Sequence, residues 1–206
     1  MNKLIHVIKK DILMTGRYIW LIALAPVIYL GFVALVSTKA LGLSAFILLN
    51  VVVTFMMNDG IDIQEAKYPN AVAMICSTPI MRKTLVYGRY CLNYLMFLYC
   101  YIMYVLLAVD LFHGGNLSGM EVLLAGWITS FVISIYMPLQ YKFGLTGARS
   151  VLIGISLFIS FFYKAFPKNK QIHTLSMMPG MIIAVILAMN MISISMSLGI
   201  MKRREL

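Results

Sequence analysis

The sequence predicts an all-α membrane protein with six transmembrane helices. Of its 206 residues, 62% are hydrophobic and 12% are charged, whereas about 25% of the residues in an ordinary soluble domain are charged. The mean hydropathy is +0.91, and a soluble fold of this length could not bury so much apolar surface. Only helices and closed barrels satisfy their backbone groups inside a bilayer. No stretch shows the short alternating segments of a barrel, so the spans are predicted to be helical.

The candidate spans are runs without Asp, Glu, Lys or Arg. A helix needs about 20 mostly apolar residues to cross a bilayer, and five of the six runs are long enough. The fifth run, 150–163, is shorter, but Lys164 can extend its side chain to the headgroups and lengthen the span to Phe166. All six belong to one transmembrane domain covering 1–206. The predicted spans are 18–38, 40–58, 90–109, 122–141, 150–166 and 176–201.

The distribution of basic residues predicts the orientation. With the N-terminus inside, 13 of the 17 Lys and Arg residues lie in segments that face inward, which is the bias of cytoplasmic loops. We therefore expect both termini in the cytoplasm. The segment 164–175 disagrees, because it carries three lysines and is predicted to face outward. Either the fifth span does not cross, or this loop is basic for a reason of its own.

The first 17 residues predict an amphipathic helix on the cytoplasmic surface of the membrane. Such a helix buries its apolar face among the headgroups and leaves its basic residues in water. It can serve as a topology anchor, as a docking element, or as both. The residues on its apolar face are Leu4, Ile5, Ile8 and Ile12.

The composition of the spans excludes several functions. No ionisable residue lies inside a predicted span, which argues against an ion-coupled transporter and against a channel with a charged filter. The chain lacks a phosphate-binding G-x-x-x-x-G-K-[ST] loop and the H-E-x-x-H and G-x-S-x-G motifs. The net charge of +10 comes from basic residues that lie mostly in the inward-facing segments, so it does not indicate a nucleic-acid-binding protein. We expect no catalytic residue, no metal and no cofactor in this chain.

Small and amide residues recur within the spans. Gly180 and Ala184 lie four residues apart in the last span, and such spacing lets helices approach closely. Asn50 and Thr54 lie one turn apart in the second span, and Asn190 lies in the sixth. Two interpretations are open. These residues stabilise helix packing, or they line a pathway or a dimer interface.

The segment 59–89 is the one long connection, at 31 residues, and it faces inward by the charge count. Connections are commonly about 4–6 residues, and long ones are usually functional. The second span is predicted to continue as helix through Lys67 and to end before Pro69. A short apolar helix, 71–77, is predicted to follow. It either packs on the membrane surface or inserts into a cytoplasmic partner, because an apolar helix that stays exposed to water is unfavourable.

The sequence around this connection resembles the type-two permeases of ABC exporters. The resemblance lies in Glu65, in "CSTPIMRK" at 76–83, and in the pair Arg89–Tyr90 before the third span. Small bacterial members carry a similar acidic residue, an apolar stretch, a Pro with a following Arg, and a basic residue before Tyr. Those permeases have six spans, a surface helix at a cytoplasmic N-terminus, and no nucleotide site of their own.

The resemblance implies a permease that works with two copies of a separate ABC ATPase, which holds the ATP and Mg. It also implies a dimer with a second, identical permease, embedded among lipids of a bacterial cytoplasmic membrane. The chain is most similar to permeases of exporters for amphipathic toxins and antimicrobial peptides. The helix at 71–77 would be the coupling helix, with an apolar contact surface and a charged rim. The implied coupling residues are Glu65, Val72, Met74, Ile75, Arg82 and Lys83.

Two other functions remain open at this stage. The chain could be a scaffold or immunity protein of the membrane, which binds a partner and transports nothing. It could also be an intramembrane enzyme, although no catalytic pair is visible in the spans. A gene for an ATPase beside the gene for this chain would favour the permease over both.

Overall fold

The computed structural model is all-helical in the residues that it describes, which are 2–16, 18–36, 42–67, 82–111, 117–165 and 179–203. The fourth helix continues as a π-helix from Val105 to Leu111. The fifth contains a break at Gly144, after which residues 145–165 are again helical. The α-helices are α1 Asn2–Thr15, α2 Tyr18–Val36, α3 Leu43–Lys67, α4 Arg82–Tyr104, α5 Gly119–Ala165 and α6 Pro179–Arg203.

Within the described residues, five helices are long and apolar enough to cross a membrane, so the predicted class, a multi-pass helical membrane protein, is confirmed. The fifth predicted span, 150–166, coincides with the part of α5 after Gly144, and the count of six stays a prediction. The five helical stretches are Tyr18–Val36, Leu43–Glu65, Lys83–Val109, Gly119–Gly144 and Pro179–Lys202.

Local sequence signals explain where several helices begin and end. Gly16 has a φ of 54°, a left-handed conformation that glycine adopts without strain, and it ends α1. Ser118 and Glu121 form a capping box at the start of α5. The Ser118 backbone N–H donates to Glu121 Oε2 at 2.7 Å, and the Glu121 N–H donates to Ser118 Oγ at 3.3 Å. Gly144, with a φ of 70°, makes the break in α5, and Pro179 occupies the first position of α6.

Three apolar clusters hold the described helices together, and the smallest packs Val51 and Phe55 of α3 against Val132 and Tyr136 of α5. The first joins α2, α3 and α4 around Phe46, whose ring meets the edges of Phe97, Tyr101 and Tyr104 at centroid distances of 5.8, 6.1 and 5.2 Å. The second joins α4, α5 and α6. Its buried residues are Val86, Tyr90, Ile133, Met137 and Tyr141, with Ile194 and Leu198 of α6 packed against them.

The N-terminal helix α1 packs directly on α3 and α4. A Cβ on Gly88 of α4 would lie 2.7 Å from Cγ1 of Val7, so this crossing requires glycine. The predicted apolar residues Ile8 and Ile12 are half-buried against the first cluster, whereas Ile5 is exposed. The location of α1 at the membrane surface stays a prediction. Its face against the protein also contains Val7 and Asp11, which the sequence analysis did not place there.

Two predicted segments lie outside the described residues. They are the short coupling helix at 71–77 and most of the lysine-rich segment 164–175. The predicted helical extension of the second span does lie within them. Helix α3 runs without interruption to Lys67, in agreement with that prediction.

Candidate functional site at the connection end of the helices

Three charged side chains are buried together at the connection end, the end where residues 68–81 join α3 to α4. Asp62 and Glu65 lie one turn apart on α3, and Arg89 lies on α4. Arg89 Nη1 is 3.2 Å from Asp62 Oδ1, and Arg89 Nη2 is 2.6 Å from Glu65 Oε1. The side chains of Asp62 and Arg89 are each 7% exposed, and that of Glu65 is 27% exposed. We call these three residues the ionic clamp.

The neighbouring helix α5 contacts the clamp through neutral groups. The Gln140 amide donates to Asp62 Oδ1, and the Tyr136 hydroxyl donates to Asp62 Oδ2 at 3.4 Å. The ring of Tyr141 faces the Arg89 guanidinium at 5.9 Å, which is within the range of a cation–π contact. The Asp62 carboxylate is therefore the point at which α3, α4 and α5 meet.

The clamp is stabilised mainly by the ion pairs of Arg89 with Asp62 and Glu65, since contact with solvent is small. A buried ion that loses its partner is strongly destabilising, since neither water nor another charge compensates it. The planar guanidinium of arginine suits the site, because its separate N–H groups can bind two carboxylates at once. One positive and two negative groups leave the clamp with one excess negative charge, and the partly exposed Glu65 gives that charge access to solvent.

A second polar contact joins α3 to α4 further from the connection. The Asn58 amide donates to Asn93 Oδ1 at 2.7 Å and to the Thr54 carbonyl at 2.8 Å. The Asn93 amide in turn donates to the carbonyl of Arg89 at 2.9 Å. Both asparagines are buried. The α3–α4 interface is therefore held by ion pairs near the connection and by amide hydrogen bonds further from it.

Hydroxyl groups link α6 to its neighbours. The Tyr90 hydroxyl of α4 lies 2.5 Å from Ser193 Oγ and 3.2 Å from Ser197 Oγ of α6. On α5, Ser130 accepts a hydrogen bond from the Asn190 amide at 2.6 Å and lies 2.9 Å from the Tyr94 hydroxyl. All of these contacts are between neutral groups.

A narrow crevice separates α3 from α5 next to the clamp. Its walls include Thr54 and Phe55 of α3 and Val132 and Tyr136 of α5. The Thr54 hydroxyl is buried and has no hydrogen-bond partner among the described residues. Val132 and Tyr136 of α5 are buried here, with Val51 and Phe55 of α3 packed against them, so the two helices remain in apolar contact around the crevice.

The structure places only some of the predicted coupling residues. Glu65 lies in the ionic clamp, and Lys83 is exposed on the first turn of α4. Arg82 is the first residue of α4. The other three, Val72, Met74 and Ile75, lie outside the described residues. Contact of this set with an ATPase therefore stays a prediction.

The predicted pathway or dimer residues fall into two groups. Asn50, Thr54 and Asn190 are buried within the chain, and the Asn50 amide donates to the Phe46 carbonyl of its own helix at 2.8 Å. Gly180 and Ala184 are exposed along α6. The buried group supports helix packing inside the chain, and its place on a pathway stays a prediction.

Sequence analysis missed Asp62 and Gln140, and it named Arg89 only in the pair Arg89–Tyr90 of the resemblance. One available signal was the spacing of Asp62 and Glu65, which puts both carboxylates on one face at the end of an apolar helix. The next helix begins with basic residues, so a hairpin of the two would bring opposite charges together. No sequence signal pointed to Gln140.

The clamp offers no evident chemistry for catalysis or metal binding. In the part of the chain that the structure describes, no three His, Cys, Asp or Glu side chains are arranged to hold a metal ion. Its ionic contacts tie together α3 and α4, the two helices that flank the connection.

The fold and this site define a multi-pass helical membrane protein whose polar contacts concentrate at the end carrying its long connection. Residues 6–202 match the family described as ABC-2 family transporter protein. Because the match covers nearly the whole chain, the protein belongs to this family, and it is a membrane permease component of an ABC transporter. Comparison with curated proteins and with solved structures gives no match.

Proposed function

We propose that this chain is the permease of an ATP-driven exporter for amphipathic peptides or similar hydrophobic molecules, driven by a separate ABC ATPase. One observation carries the coupling part of this proposal. The two helices on either side of the 68–81 connection are tied by the buried Arg89–Asp62 and Arg89–Glu65 ion pairs. A partner that presses on the connection would thus move α3 and α4 directly.

The contact with the ATPase is proposed to consist of an apolar centre and a charged rim. Val72, Met74 and Ile75 form the centre, and Lys83 belongs to the rim. A buried apolar anchor at an interface can contribute about 2 kcal/mol or more to binding. A rim charge mainly alters the rate of association. The substrate class rests on the resemblance of the sequence to exporters of toxins and antimicrobial peptides.

The test compares Ile75→Asp with Lys83→Ala in cells that also produce the proposed partner ATPase. Ile75→Asp should abolish co-purification of the ATPase, while Lys83→Ala should retain most of it. Both variants should still insert into the membrane in normal amounts. If Ile75→Asp retains the ATPase, the connection is a membrane-surface linker and the proposed coupling is wrong.

The substrate class is tested with a synthetic cationic amphipathic peptide as the probe. Cells that produce the permease and the ATPase should tolerate higher concentrations of this peptide than cells whose ATPase cannot hydrolyse ATP. Equal sensitivity, with the ATPase still bound to the permease, would contradict the substrate class and leave the permease assignment in place.

A further inference from the structure

We propose that Arg89 is a positioning residue that makes α3 and α4 one moving unit, and that transport separates this unit from α5 at the Asp62–Gln140 contact. The inference rests on the proposed function, because it describes how an ATP-driven permease would change shape. It goes further by naming the interface that opens and the residue that keeps the neighbouring interface closed.

The ion pairs of Arg89 oppose separation of α3 from α4. Both carboxylates that bind Arg89 lie on α3. Separating α3 from α4 would leave the buried ions Asp62 and Arg89 and the partly exposed Glu65 without their ionic partners, which is much less favourable than breaking neutral hydrogen bonds. Separating α3 from α5 removes only the neutral donors Gln140 and Tyr136 from Asp62. Asp62 then keeps Arg89 as its partner, so no charge is left uncompensated.

Further contacts bind α3 and α4 into the same unit. Asn58 and Asn93 connect the two helices at 2.7 Å. Helix α1 also packs on both of them. A Cβ on Gly60 of α3 would lie 3.2 Å from Thr15 Cγ2, and a Cβ on Gly88 of α4 would lie 2.7 Å from Val7. These close approaches fix the connection end of α3 and α4 relative to one helix.

The α3–α5 interface contains a small gap beside a buried hydroxyl group. The crevice lined by Thr54, Phe55 and Val132 lies along this interface. Thr54 contributes a buried hydroxyl with no partner in the described part of the chain. The polar contacts across this interface come from neutral donors on α5, and an interface of this kind can open with little loss of hydrogen bonding, because water can replace each hydrogen bond.

Cysteine pairs test which interface opens. The pair Phe55→Cys with Val132→Cys spans the α3–α5 interface, and the control pair Asn58→Cys with Asn93→Cys spans the α3–α4 interface. Both pairs are made in a chain whose Cys76, Cys91 and Cys100 are replaced by serine. A short bismaleimide is applied to membranes that contain the permease and its ATPase, either without nucleotide or after trapping with ATP and orthovanadate.

We expect the cross-linking yield of the Phe55→Cys/Val132→Cys pair to change several-fold between the nucleotide-free and the vanadate-trapped state. The cross-linking yield of the Asn58→Cys/Asn93→Cys pair should stay constant. Constant yields for both pairs, with the ATPase bound, would overturn the inference and leave the proposed function intact. A change in the cross-linking yield of the Asn58→Cys/Asn93→Cys pair alone would also overturn the inference and leave the proposed function intact. If the ATPase does not co-purify, the proposed function and this inference fall together.

The role of Arg89 is tested in the Asn58→Cys/Asn93→Cys chain. With Arg89→Gln the yield at this control pair should become dependent on the nucleotide state, and with Arg89→Lys it should again be constant. Glu65→Gln, which removes the half-exposed carboxylate only, serves as a milder variant that should fold even if Arg89→Gln does not. A yield that stays independent of nucleotide in Glu65→Gln, and in Arg89→Gln where that variant folds, would show that Arg89 does not hold the unit together.

Discussion

Arg89 of α4 binds Glu65 of α3 at 2.6 Å, which is closer than its 3.2 Å contact with Asp62, although Glu65 is the more exposed of the two carboxylates. The short contact to the outer carboxylate leaves the inner one to share its charge with Gln140 and Tyr136. Glu65 thus forms the solvent side of the clamp, and Asp62 connects the clamp to α5.

The first prediction concerns removal of the buried positive charge. Arg89→Met should lower the free energy of unfolding by about 3–5 kcal/mol, because Asp62 and Glu65 would be left without a cation. Thermal unfolding of the purified chain in detergent measures the effect. Lys83→Met is the matched control, since Lys83 lies on the same helix but is exposed, and it should leave the unfolding temperature nearly unchanged.

The same site allows a compensation test. Adding Asp62→Asn and Glu65→Gln to Arg89→Met removes all three charges, and the triple variant should unfold at a higher temperature than Arg89→Met alone. A triple variant no more stable than the single one would mean that the packing of the arginine, and not its charge, stabilises this end of the helices.

The second prediction concerns the crossing of α1 over α4. In Gly88→Ala the added methyl group would lie 2.7 Å from Val7 Cγ1, so one helix must shift. Overpacking of this kind costs about 1–3 kcal/mol. Thermal unfolding should show the loss, and Val7→Ala in the same chain should recover part of it. Gly31→Ala is the control, because a Cβ there meets no atom within 4 Å and should not destabilise the chain.

The helices themselves could be predicted from the sequence because their signals are local. Five of the predicted apolar runs coincide with helices that are long and apolar enough to cross a membrane. The extension of α3 to Lys67 followed from Pro69, since a residue before proline disfavours helix. Each of these signals lies within a few residues of the feature that it predicts.

The ionic clamp could not be predicted in the same way, because it is a product of helix packing. Asp62 and Arg89 lie on different helices, and the partner Gln140 comes from a third one much later in the chain. A charged residue at the end of an apolar run can face solvent, headgroups or another helix, and the run alone does not distinguish these cases. The buried Asp11 of α1 was missed for the same reason.

The third prediction concerns the hydroxyl contact between α4 and α6. Tyr90→Phe removes the hydroxyl that lies 2.5 Å from Ser193 and 3.2 Å from Ser197. Hydrogen bonds between membrane helices contribute modestly, so we expect a loss of about 0.6–1.7 kcal/mol in the free energy of unfolding. Tyr87→Phe on the same helix is the control, because Tyr87 is 44% exposed. Equal effects of the two variants would contradict a specific role for the Tyr90 hydroxyl.

The last prediction is that the helix after Gly144 crosses the membrane and places the lysine-rich segment 164–175 outside. Residues 145–165 are helical, and at about 1.5 Å per residue they reach roughly 31 Å, close to the thickness of a hydrocarbon core. Gly144, with a φ of 70°, separates this stretch from the preceding span, as a change of direction would require. Cysteines at Lys168→Cys and Lys170→Cys should react with a membrane-impermeant maleimide on intact cells. Cysteines at Lys3→Cys and Lys202→Cys should react only after the membrane is permeabilised. Labelling of Lys168→Cys only from the cytoplasmic side, with Lys202→Cys reached from outside, would show that this helix does not cross and that the chain has five spans.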